Sequence, residues 1–181
     1  MLLAKLTKAH IHIAHVSSEY SLKIIEMGKK EGINITCEAT PHHFSFSDDE
    51  ILKNAYDTNF KMSPPLREIS DVKAVREALK SGLIDVIATD HAPHHTDEKI
   101  VEFDKAPFGI IGLQTLVPLT LKLVNEGVIS LERMVELTST NAAKMLNLKD
   151  KGRLAEGMLA DIAVIDPEIE YVYDEKDRKS V

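Results

Sequence analysis

Three short runs rich in β-branched residues, 10-HIHIAHV-16, 33-INITCEA-39 and 83-LIDVIAT-89, alternate with amphipathic stretches. This alternation constrains the fold more than any other feature, because it specifies βα units and a parallel sheet. Ser17 or Ser18 is placed to cap a helix over 19–31, which Gly32 ends. Its apolar face is Leu22 and Ile25, flanked by Ile24 and Met27. A helix over 71–81 presents Val72, Val75 and Leu79 on one side and stops at Gly82. Between them, residues 40 to 69 contain paired prolines in 62-MSPPLR-67, which forbid both helix and central strand there. A connection of that length in a compact fold is usually functional or disordered. Three further helical stretches are expected near 113–126, 130–138 and 140–147, capped by Ser130 and by Ser139 or Thr140.

Composition shifts at 149-KDKGRLAEGMLADIAVID-166, where turn residues and short alternating runs suggest strands, joined by 169-IEYVYD-174. Two domains follow: residues 1–148 as βα units and 149–181 as part of a small β unit. Three parallel strands leave two faces and two edges without partners, so the chain reads as a piece of a larger assembly.

Chemistry collects at the strand ends. All eight histidines fall in three places: 10, 12 and 15; 42 and 43; 91, 94 and 95. Each lies in or just after a predicted parallel strand, where α/β folds keep their sites. Imidazole and carboxylate are zinc ligands, so His15 and Asp90 are placed to converge on one metal centre. Asp90 is also a candidate acceptor for a proton from a metal-bound water. Parity separates His10 and His12 from His15, which makes the first two outward or edge residues. His42 and His43 read equally well as solvated loop residues. Arg67 either binds an anionic substrate or pairs with Glu68. Cys37, inside a strand, reads as core.

A net charge of −7 and no basic run exclude a nucleic-acid or anionic-membrane surface. No apolar run approaches the ~20 residues of a membrane span. A single cysteine forms no internal disulfide and fits a cytoplasmic location.

In order and spacing, 12-HIAHVSS-18, 40-TPHHF-44, 61-KMSPPLR-67, 88-ATDHAPH-94, 106-APFGIIGLQT-115 and 152-GRLAEGMLADIAVID-166 resemble dihydroorotases of the amidohydrolase superfamily. The resemblance covers essentially the whole chain. It implies strands six to eight of a distorted TIM-like (β/α)8 barrel over 1–148, part of a β-sandwich over 149–181, and a two-zinc centre. The implied reaction is reversible hydrolysis of dihydroorotate to N-carbamoyl-aspartate in pyrimidine biosynthesis. By this likeness His15 and Asp90 are metal ligands, and Asp90 also carries the proton from the attacking water to the ring nitrogen. His94 matches a histidine on the substrate carboxylate, and Phe108 and Gly109 match a backbone segment that holds the ring. Ser63 stands where many relatives place an Asn against substrate. The ligands of strands one, four and five have no counterpart here, so the chain is expected to be an internal or carboxyl-terminal piece, either a truncation or one part of a split enzyme, with an amino-terminal half or a homo-oligomer as candidate partners. Aspartate transcarbamoylase is a further candidate partner. A hydantoinase or allantoinase, or a non-catalytic structural subunit, are the competing readings.

Overall fold

The structure is a computed structural model that describes residues 1–170, 172 and 173. Its centre is a three-stranded parallel sheet in the order β1 (Ile11–Ile13), β2 (Ile35–Ala39), β3 (Val86–Ile87). Ile11 pairs with Ile35 and Ile13 with Cys37, while Glu38 and Ala39 pair with Val86 and Ile87. The three runs therefore form strands, but shorter than their apolar patterns. Alternation gives β2 two unlike faces. Ile35, Cys37 and Ala39 are buried against the helices, and Thr36 and Glu38 lie on the other side, where exposure is greater.

Ahead of β1, residues Leu2–Thr7 form a short helix, α1, that the sequence pattern did not single out. Helix α2 (Glu19–Lys30) links β1 to β2, and the Ser18 side chain accepts from the Ser21 amide at its start. Leu22 and Ile25 bury their side chains; Ile24 and Met27, expected as flanks of that face, are exposed. Gly32 takes φ +74, a left-handed turn that β-carbon-bearing residues adopt at a cost.

The connection from β2 to β3 is not structureless. It winds through α3 (Pro41–Ser45), α4 (Asp49–Lys53) and a 3-10 turn at Thr58–Phe60 before α5 (Ile69–Ser81) returns across the sheet. Val75 and Leu79 are fully buried on α5 and join Leu22, Ile25, Cys37, Phe44 and Ile84 in one core. Beyond β3 come α6 (Thr96–Lys99), α7 (Leu116–Asn125) and α8 (Leu131–Val135). A π-turn over Glu136–Thr140 then leads into α9 (Asn141–Met145). The Ser130 cap forms, its hydroxyl accepting from the Arg133 amide. The expected cap at Thr140 does not: the chain is already helical there, and the Thr140 hydroxyl donates to the Gly152 carbonyl instead.

No strand occurs among the described residues after β3, which corrects the expectation for 149–166. A strand needs a neighbour to pair with, and here the alternating apolar side chains Ile162 and Val164 stand exposed, with no sheet beside them. The companion run 169–174 extends outside the described residues.

Candidate active site

His15 follows β1 by two residues and Asp90 follows β3 by three, so the parallel sheet delivers both to its carboxyl end. Both adopt left-handed backbone, with φ +38 at His15 and +46 at Asp90. Non-glycine residues rarely do so, although His and Asp tolerate it best. Glu38 supports the first of these turns: its Oε1 accepts from the His15 amide at 3.4 Å, and its Oε2 lies 3.0 Å from His12 Nε2. His12 thus sits on the Glu38 side of the sheet, half-buried, and His10 is exposed with its Nε2 on the Thr36 hydroxyl.

His42 and His43 correct the sequence reading: they are buried, at 3% and 2% exposure, and not solvated. Thr40 precedes α3 in extended backbone and Pro41 occupies its first turn, the usual start of a helix. That one turn carries both imidazoles inward. The Pro64 carbonyl can only accept, so His43 Nε2 donates to it at 2.9 Å. Nδ1 is then the acceptor of the Thr40 hydroxyl at 2.7 Å, which fixes a neutral tautomer. Burial lowers the proton affinity of His43; the nearby His15 and Arg67 lower it further, whereas the Pro64 carbonyl and Asp90 raise it. Burial, aided by His43 and His15, pushes His42 down to about 3. Its Nε2 is buried with no partner among the described residues.

Ser63 is exposed beside Pro64, and Arg67 donates from Nε to the Ser17 hydroxyl at 3.3 Å. His94 Nε2 donates to the Phe108 carbonyl at 2.9 Å, which leaves Nδ1 as its open edge, 3.6 Å from a Glu98 oxygen. Phe108 is 57% exposed. Gly109 is buried so tightly that an added Cβ would stand 2.5 Å from the Ala92 carbonyl and 2.9 Å from the His94 ring. His91 accepts at Nδ1 from the amides of Gly112 and Leu113, and His95 caps α6. Cys37 is fully buried and its thiol is pushed up to about 11, so it stays protonated. Sequence reasoning missed Glu38, Lys61 and Lys99. Each was hidden among ordinary charged residues, and only the fold brings it against backbone.

A catalytic zinc takes three protein ligands. Among the described residues no three His, Cys, Asp or Glu side chains gather in a metal-binding group. His15 and Asp90 alone do not fit such a centre.

A model of the amidohydrolase family matches the chain over residues 1–181. The dihydroorotase of Geobacter metallireducens is 52% identical over 172 residues, which are 95% of this chain and 40% of that protein. The dihydroorotase of Geobacter sulfurreducens is 55% identical over 155 residues, 86% of this chain and 36% of the relative. Among solved structures, the L-hydantoinase (dihydropyrimidinase) from Arthrobacter aurescens superposes with a TM-score of 0.82 at 31% identity. That superposition covers 88% of this chain and 36% of the other. The chain spans about 40% of the length of the curated relatives it matches.

Proposed function

Because the chain belongs to the amidohydrolase family, we propose that it forms part of a dihydroorotase site, hydrolysing the cyclic amide of dihydroorotate to N-carbamoyl-aspartate. One observation carries this reading. His15 and Asp90, far apart in sequence, both leave the carboxyl end of one parallel sheet through left-handed turns. The half-identity to dihydroorotases over nearly the whole chain supports the substrate.

In this proposal Asp90 accepts a proton from the attacking water as the carbon–oxygen bond forms. It returns that proton to the ring nitrogen as the carbon–nitrogen bond breaks, serving first as base and then as acid. His94, Ser63 and the Phe108–Gly109 backbone orient the ring, which turns a bimolecular encounter into a positioned one. Zinc remains an inference from the family. His15 and Asp90 are two donors toward it, and further ligands have to come from outside residues 1–181, in the same polypeptide or another. The assignment of β1, β2 and β3 to barrel strands six, seven and eight, with 149–181 as part of a sandwich, belongs to the same proposal. So does the small-molecule substrate; aspartate transcarbamoylase has no observation behind it here.

The likeness to hydantoinase structures favours a second reading, hydrolysis of a hydantoin or dihydropyrimidine ring. Turnover of dihydroorotate, hydantoin and dihydrouracil, compared on the 181-residue chain and on an enzyme containing it, separates the two. We expect little activity from 1–181 alone and a preference for dihydroorotate in the larger enzyme. Preference for hydantoin there sinks the first reading.

A further inference from the structure

We propose that Lys99 is a positioning residue for the Phe108–Gly109 segment, fixing the backbone proposed to hold the substrate ring; the proposal rests on that reading. Lys99 ends α6 and turns its side chain inward. Its Nζ donates to the carbonyls of Thr58 at 3.1 Å, Pro107 at 2.8 Å and Gly109 at 3.0 Å. An ammonium has three protons and no acceptor, so all its capacity is spent on main chain. Half-burying a charge is costly unless such charge-assisted bonds offset it. Desolvation and the neighbouring Lys61 both lower its proton affinity, and an ordinary surface lysine suffers neither.

The three carbonyls come from two segments, the turn at 58–60 and the loop at 107–109. Other contacts stitch the same seam. The Thr58 hydroxyl donates back to the Lys99 carbonyl at 2.5 Å, and the Gly109 amide donates to the Lys61 carbonyl at 2.9 Å. Lys61 Nζ donates to the Asp104 carbonyl at 2.8 Å and lies 4.8 Å from the centre of the Phe108 ring.

The consequence follows from peptide planarity. With the Pro107 carbonyl aimed at Lys99, the Phe108 N–H on the same trans plane points the opposite way. Among the described residues it has no acceptor, whereas the Gly109 amide is taken by Lys61 and the Phe108 carbonyl by His94. The segment therefore presents one unspent donor whose direction Lys99 sets. A cyclic amide carries carbonyl oxygens that suit it.

Lys99→Met keeps the length of the stem and removes every donor. In amide exchange of the 181-residue chain, the Gly109 amide is expected to exchange about tenfold faster, while Val75 and Leu79 in α5 hold their rates. In dihydroorotate hydrolysis by an enzyme containing this chain, the expected signature is KM raised about tenfold with a smaller change in kcat, as loss of positioned binding predicts. Unchanged exchange at Gly109, or a fall in kcat at constant KM, overturns the proposal. Should Lys99→Met loosen α5 as well, Lys99→Gln, with two donors on a shorter stem, is read against the same criteria. A wild-type enzyme that leaves dihydroorotate intact defeats the functional reading, and the exchange rates still decide Lys99.

Discussion

At the scale of single residues, Asp90 and His42 make opposite predictions. Asp90→Asn preserves shape and sits without penalty in left-handed backbone, which Asn tolerates as well as Asp does. It removes only the basic carboxylate. In an active enzyme kcat is expected to fall ~10²- to 10⁴-fold, the usual worth of a general base, with an unchanged thermal midpoint. Retention of more than about a tenth of the activity would remove Asp90 from the proton path. His42 concerns stability. Burial depresses its pKa from the ordinary 6.5 to about 3 in the folded chain. Below pH 6.5 the unfolded chain takes up a proton that the folded chain refuses, so stability falls with pH through that window, by about 1.4 kcal/mol per unit at most. It is fully lost only below about 3. His42→Phe removes both this titration and an unpartnered buried nitrogen. Urea midpoints between pH 7 and 5 are expected to slope less steeply for the variant, and parallel slopes would refute the assignment.

At the scale of elements, periodicity was legible wherever an element buries one face. The helix expected over 71–81 forms as Ile69–Ser81, because Val72, Val75 and Leu79 repeat at helical spacing and Gly82 supplies the left-handed stop, φ +86. The site was legible in part, since parallel strands send their carboxyl ends one way and histidines cluster there. Short elements escaped. Helix α3 is five residues long, too brief for a period, and its signal lay in Thr40 and Pro41. Strand β3 keeps only Val86–Ile87 from the seven residues expected as a strand, 83–89. What anchors the entry to β3 is Arg133 of α8, which donates to the carbonyls of Leu79 at 3.2 Å and Ile84 at 2.8 Å. No pattern along the chain announces a bond spanning that distance. Replacing Arg133 with Met retains the stem but orphans two carbonyls. A loss of roughly 2–3 kcal/mol is expected from bonds to a charged donor, measured by chemical denaturation. A loss below about 0.5 kcal/mol would show that water replaces the guanidinium.

At the scale of the whole molecule, three strands covered by helices on one face leave apolar surface without partners. Leu2, Leu3 and Leu6 of α1 are each about three-quarters exposed, at 76, 76 and 74%, and lie together at helical spacing. Val164 and Val172 are more than 90% exposed. The outer strands β1 and β3 each pair on one edge only among the described residues. Apolar surface of this kind drives association, and a free strand edge directs it. The net charge of −7 opposes association between copies, so salt tips the balance. The 181-residue chain is therefore expected to sediment as larger species as its concentration and the ionic strength rise. Leu3→Glu with Leu6→Glu, which adds charge to the exposed helical face, is expected to shift it toward monomer while leaving the core over Val75 and Leu79 intact. A wild-type chain that stays monomeric in high salt would mean that these side chains cover one another in solution.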